Sequence, residues 1–178
     1  MLNILSRITG KPRAEIIDAR VLYRKVMEQS RKPEFYGDDL CADTTDGRME
    51  ILCMHLSTIM FILREHGEAG ATLTQALYDV MINDFDVALR EEGLSDTGVS
   101  RRIKPLAKMF FARARQYADA FNSDDIEGAL ETIIKDNICK IGGNDALYIV
   151  YVKDFHANLA AQKLGSIARG KLDFPRFH

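Results

Sequence analysis

No stretch of this sequence is apolar for long enough to cross a bilayer. The longest window, Ile51 to Leu63, is interrupted by His55, Ser57 and Thr58 and falls short of the roughly 20 residues that a spanning helix needs. Integral membrane insertion is therefore not expected. The first residues, MLNILSRITGKPR, hold too short an apolar run for a signal peptide and lack a small-residue cleavage site. Cysteine is scarce: Cys41, Cys53 and Cys139 are far apart, and none has the spacing of a zinc knuckle or a redox pair. They read as free thiols in a reducing compartment. Charge of one sign is missing too. With 24 basic against 26 acidic residues, net charge -2 and pI about 6.1, composition gives no ground for wholesale nucleic-acid binding, and DNA is not an expected partner.

The sequence also lacks the usual vehicles of catalysis. There is no glycine-rich phosphate loop, Gly142-Gly143 alone being far too little. Neither a nucleophilic serine elbow nor a cysteine with a nearby base is present. A carboxylate-bridged metal bundle needs Glu-x-x-His pairs on two helices, and there are none. His55, His66, His156 and His178 have no zinc-like spacing. Asp79, Asn83 and Asp86 sit in a helical pattern, whereas calcium loops alternate their ligands through a glycine-containing turn. No metal, cofactor or catalytic residue is expected, and the chain does not read as an enzyme. Alternating strands and internal repeats are absent as well.

What remains is helical periodicity. At 47% apolar and 28% charged the chain can bury a sizeable core, and it predicts an all-α, single-domain bundle of about six helices with a long ordered loop between the first two. Residues 1–12 form an N-terminal segment, flexible, docked or touching a membrane. Leu2, Leu5 and Ile8 beside Arg7, Lys11 and Arg13 have the make-up of a short interfacial foot. Residues 13–178 form the helical domain. Ile16, Ala19, Tyr23 and Val26 mark the first helix, with Pro12 suited to its start. A Pro-, Gly- and Asp-rich loop follows, which Phe35, Tyr36 and Leu40 pin to the body. Thr44 or Thr45 caps a core helix through Glu65. HGEAGAT then breaks the chain, with Thr72 capping the third helix.

That third helix, Leu73 to Val99, organises the reading. At about 100° per residue, Gln75, Asp79, Asn83, Asp86 and Arg90 fall on one narrow polar line. Leu73, Leu77, Val80, Met81, Val87 and Ala88 fill one apolar side, and Tyr78, Ile82, Phe85 and Leu89 another. Asp84 falls inside the first apolar group. A carboxylate there needs a partner or a proton. It reads as a register lock with Arg48, Arg102 or Lys104; the alternative is a general acid of raised pKa. Gly93 fits the helix end. His55 reads as a helix-edge imidazole with a local partner, against a ligand or proton carrier. The fourth helix runs from Val99 to Phe121, kinked at Pro105 or starting there. It carries a basic outer face of Arg101, Arg102, Lys104, Lys108, Arg113 and Arg115, and no acid interrupts Val99 to Ala118. This face is either a solvated surface or a dock for something anionic, namely a membrane, ribosomal RNA or an acidic partner. Phe111 and Tyr117 are too few to imply base stacking. Ser123 or Asp124 caps a fifth helix, the IGGND turn closes it, and Asn144 starts a sixth. Leu172, Phe174 and Phe177 strap the C-terminus across the body.

Four blocks, PEFY, DTTDGRMEIL, LTQALYDVMINDFDVALREEGLSD and RRIKPLAKMFFARARQY, resemble the ubiquinol-cytochrome c chaperone family in content and order, over roughly Tyr23 to Phe174. Pro105 departs from the plain helix former expected there, and Met49 and Met81 from frequent aromatics. The resemblance implies a non-enzymatic assembly factor for the cytochrome b subunit of the cytochrome bc complex. Mitochondrial relatives act with a small helical partner protein near the ribosomal tunnel exit, and hold cytochrome b until it acquires haem. This chain, without a targeting extension, resembles the compact bacterial form. It implies a cytoplasmic location, with peripheral contact at the inner face of the inner membrane as an open alternative. Partners would be cytochrome b or another bc subunit, with the ribosome or an anionic membrane also open. The resemblance also marks Arg48, Glu50, His55, Gln75, Asp79, Asp84, Asp86, Arg90, Glu91, Gly93 and Tyr117 as structural or binding positions.

Overall fold

A computed structural model describes residues 14–139 and 143–177. The N-terminal segment with its basic and apolar residues, and Ile141 and Gly142 of the expected turn, lie outside them. Seven helices follow one another among the described residues: α1 (Ala14–Ser30), α2 (Thr45–Glu65), α3 (Gly67–Glu91), α4 (Asp96–Phe121), α5 (Ile126–Asn137), α6 (Asp145–Ala160) and α7 (Leu164–Ala168). The all-α bundle is thus as expected, with one short helix more. That seventh turn lies in the stretch read as a C-terminal strap.

α2 is the axis. Every residue from Ile51 to Met60 is buried, because α1, α3, α4 and α6 all pack against it. Its start is fixed by Thr44, whose hydroxyl accepts the Gly47 N–H at 3.1 Å, satisfying one of the amides a helix leaves without a partner. Ser95 does the same for α4 through Gly98 N–H. At α5 the cap is Asp125, accepting from Gly128 N–H at 3.0 Å, rather than Ser123 or Asp124. Ser123 accepts from the Asp125 N–H one step earlier.

The break between α2 and α3 is shorter than HGEAGAT suggested. α3 begins at Gly67, whose φ of +67° reverses the chain at the cost only glycine avoids. Gly70 then lies so close to the end of α2 that a Cβ would stand 1.7 Å from the Leu63 carbonyl oxygen. Thr72 is not a cap; inside α3, its hydroxyl donates to the Glu68 carbonyl. α4 likewise starts earlier than expected and runs through Pro105. Arg101, whose carbonyl loses its amide partner to Pro105, is exposed, so water can serve that oxygen.

The loop of residues 31–44 is ordered by specific bonds. Pro33–Phe35 forms a 3-10 turn, Phe35 is fully buried, and the Tyr36 hydroxyl donates to the Ser30 carbonyl. Tyr148 of α6 reaches across, accepting from Cys41 N–H at 2.9 Å and donating to the Phe35 carbonyl. Tyr36 and Leu40 pack on the core as expected, as do Leu172 and Phe174 of the strap, and Phe177 is buried with it.

Candidate functional site

The burial pattern of α3 corrects the reading of Asp84. Leu73, Leu77 and Met81 are buried, but past Met81 this side of the helix is uncovered: Val87 is 44% exposed, and Ala88 and Asp84 are exposed too, while Leu89 on the other side stays buried. A helical wheel gives angle but not how far along the axis cover extends. Asp84 therefore lies at an open edge, where the Tyr23 hydroxyl of α1 donates to it at 2.9 Å. Burial, and next the charge of Asp84, hold that phenol protonated. The expected partners are elsewhere: Arg48 pairs with Asp43 at 2.6 Å, and Arg102 and Lys104 are exposed on α4. The polar line of α3 is closed by local pairs, Gln75 to Asp79 and Arg90 to both Asp86 and Asp96, all on the surface. Glu91 is exposed beside them, and Gly93 ends the helix with φ +86°.

His55 is not at a helix edge. It is fully enclosed among Phe35, Tyr151, Phe155 and Phe174, with ring centroids 5.3 to 6.0 Å away. Its Nδ1 lies 2.8 Å from the Ile51 carbonyl, which can only accept, so Nδ1 carries the proton. Ser30 Oγ, 3.2 Å away, shares that proton as second acceptor. Nε2, 2.8 Å from the Tyr151 hydroxyl, must then accept, and Tyr151 in turn accepts from Gln29 Nε2 at 3.1 Å. Burial drops the imidazole to about 4, so it is neutral at physiological pH. This is a satisfied core network, and Asp84 and His55 are not brought together.

The surface with chemistry to offer lies on α4. Arg101, Arg102, Lys104, Lys108 and Arg115 are exposed, and among the described residues the first four have no ion-pair partner, while Arg115 lies 3.6 Å from Asp119. Arg113 leaves this face. One turn geometry further round, it grips Glu50 of α2 with two bonds of 2.7 Å, beside the buried Tyr117. The Glu50 carboxylate raises the hold of that guanidinium on its proton. In the middle of the remaining basic belt stands Phe111, 56% exposed. It forms the lip of a groove of about 580 Å³ between α2, α3 and α4, walled by Phe61, Tyr78, Phe110 and Ala114. Tyr78 and Phe111 lie 4.9 Å apart. On the floor is Ser57, whose hydroxyl is buried without a protein partner. The sequence reading missed this groove, because its walls come from three helices and its aromatics sit among ordinary core positions. Phe111 beside Lys108 and Arg115 was the one visible signal.

Among the described residues no three His, Cys, Asp or Glu side chains converge as metal ligands would, and no helix is long and apolar enough to cross a membrane. No curated protein matches the sequence. A solved structure does, described as "Crystal structure of the Cbp3 homolog from Brucella abortus": TM-score 0.78, 27% identity, covering 99% of this chain and 98% of that one. The sequence profile described as "Ubiquinol-cytochrome C chaperone" matches residues 41–174, a span that takes in α2 to α7, the aromatic groove and the basic belt of α4. On that match the chain belongs to the ubiquinol-cytochrome c chaperone family.

Proposed function

We propose that the protein is a non-enzymatic assembly chaperone that holds cytochrome b, or another subunit of the cytochrome bc complex, from the cytoplasmic side of the inner membrane. The observation that carries this is the groove beside α4, with Phe111 exposed at its lip and cations along the same helix. An apolar client segment gains from burial against the aromatic walls, while the belt steers whatever acidic or lipid surface accompanies it. Family membership and the likeness to the Cbp3 homolog support the reading. Deleting the gene should lower the cytochrome bc complex and spare other respiratory complexes; unchanged bc spectra and activity would sink the idea.

A second reading is an electrostatic adaptor that binds ribosomes or anionic membranes. It is favoured by Arg101, Arg102, Lys104 and Lys108 having no ion-pair partner among the described residues. It predicts that the protein co-sediments with ribosomes or anionic vesicles and is released by salt. The enzyme reading loses its support, since Asp84 and His55 line no common cleft: one is at an exposed edge and the other is sealed in the core.

A further inference from the structure

Cys41 in the loop and Cys139 just after α5 face each other in an isolated antiparallel bridge. Antiparallel pairs come in two kinds, and the backbone bonds tell which this is. Cys41 N–H donates to the Tyr148 hydroxyl, and the Cys41 carbonyl accepts from Gly37 N–H at 3.2 Å. Cys139 N–H donates to the Ile134 carbonyl at 2.9 Å. Neither cysteine spends its amide on the other, the pattern of the non-hydrogen-bonded kind; Cα atoms stand about 4.5 Å apart in regular pairs of that kind and about 5.5 Å in the hydrogen-bonded kind. Disulfides form across Cα separations of roughly 4.4–6.8 Å. Both thiols are free.

We infer that Cys41 and Cys139 are a disulfide-forming pair, a modification site at which a small disulfide oxidant ties the loop of residues 31–44 to the junction between α5 and α6. One cysteine, as thiolate, attacks a sulfur of the oxidant and expels one thiolate. The second cysteine attacks the resulting mixed disulfide and expels the other. Two S–H bonds are lost, one S–S bond is gained, and the oxidant leaves as two thiols carrying the two protons. The tie secures the loop that carries Phe35, the ring edge-on to His55.

The same geometry sets the rate. The Cys41 thiol is pushed up to about 12 by burial, then by Cys139, Glu50 and Asp43. Cys139 is pushed up to about 11 by burial, then by Asp145. Thiolate is scarce in the closed state, so reaction proceeds when the loop opens and quickens as pH rises. Tyr148, holding both Cys41 N–H and the Phe35 carbonyl, keeps it closed.

The test incubates the full chain with oxidised glutathione at pH 8.5, quenches with acid, alkylates and maps peptides by mass. The expected product is a Cys41–Cys139 linked peptide, two hydrogens lighter than its parts, with Cys53 alkylated only after unfolding. The thermal midpoint should rise and return on reduction. Tyr148→Phe should speed linkage several-fold. Links through Cys53 or between molecules, or full alkylation of both cysteines, would overturn the pairing. An unchanged rate in Tyr148→Phe would overturn the loop-opening route. Because the mapping uses the unaltered protein, it does not depend on any cysteine variant folding.

Discussion

Glu50 of α2 and Arg113 of α4 face each other through two bonds of 2.7 Å, with only 12% and 18% of their side chains exposed. The pair stitches the axis of the bundle to the helix that bears the basic belt. Its members are not equally expendable. Breaking a fully buried pair from one side costs roughly 3–5 kcal/mol, because the remaining charge is stranded. For this pair, with some water access, Arg113→Met should cost about 2 kcal/mol. The double variant Glu50→Leu with Arg113→Met should recover much of that, since no charge is left behind. Urea unfolding of the two single variants and the double one measures the coupling directly; strict additivity would show that the pair does not act as a unit.

The turn between α2 and α3 gives a sharper contrast. A methyl at Gly70 would meet the Leu63 carbonyl oxygen at 1.7 Å, and that atom is backbone. Gly70→Ala must therefore push the two helices apart, costing about 3 kcal/mol as overpacking does at its upper end. At Gly98, in the first turns of α4, a methyl meets only the Leu94 side chain at 3.4 Å. Gly98→Ala should gain about 0.5 kcal/mol by restricting the unfolded chain. Opposite signs in thermal midpoint are the expected result.

His55 should make stability depend on pH. Its pKa is about 6.5 unfolded and about 4 folded, lowered by burial. Between these values the unfolded chain binds the extra proton, so stability rises with pH from about 4 to about 6.5 and is level above that. The full effect is about 3 kcal/mol, from the two end values. Urea midpoints measured from pH 4 to 7.5 should show the rise. His55→Gln should lose most of it whatever its own stability, the part that stays coming from His156, whose imidazole burial also lowers, and from carboxylates; a parallel slope in both proteins would show that His55 is not its source.

Much of this architecture was legible from periodicity, because core stripes such as Ile51 to Leu63 dictate a helix whatever surrounds it. Capping was legible to within a residue at Thr44 or Thr45, of which Thr44 is the cap, and less so where Ser123, Asp124 and Asp125 compete. Asp84 and His55 show the limit. A wheel places both by angle, yet their burial depends on which turns have neighbours: Asp84 lies on a side of α3 left uncovered past Met81, and His55 beneath Phe35 of the loop and Phe174 of the C-terminal strap, whose aromatics announce that they dock but not over which residue. Arg113 was assigned to the basic face for the same reason. Its partner Glu50 is on another helix, and only the packing of α2 against α4 brings them together. The groove required three helices at once.

The belt and the lip of the groove should act on different steps of client binding, and that difference can be measured. Lys104, Lys108 and Arg115 are exposed, so Lys104→Glu, Lys108→Glu and Arg115→Glu together should change unfolding free energy little, within the roughly 0.5 kcal/mol usual for each surface site. Their effect should fall on association: capture of cytochrome b from a membrane extract slows, and its dependence on salt flattens, because steering charges set encounter rates. Phe111→Ala removes apolar contact area and leaves every charge in place. It should speed release while keeping the salt dependence of the unaltered protein, since contact losses act mainly on dissociation. If both sets of variants lost binding with identical salt slopes, the two features would not be separate parts of one surface. If neither changed binding, the client would be held on another face of the bundle.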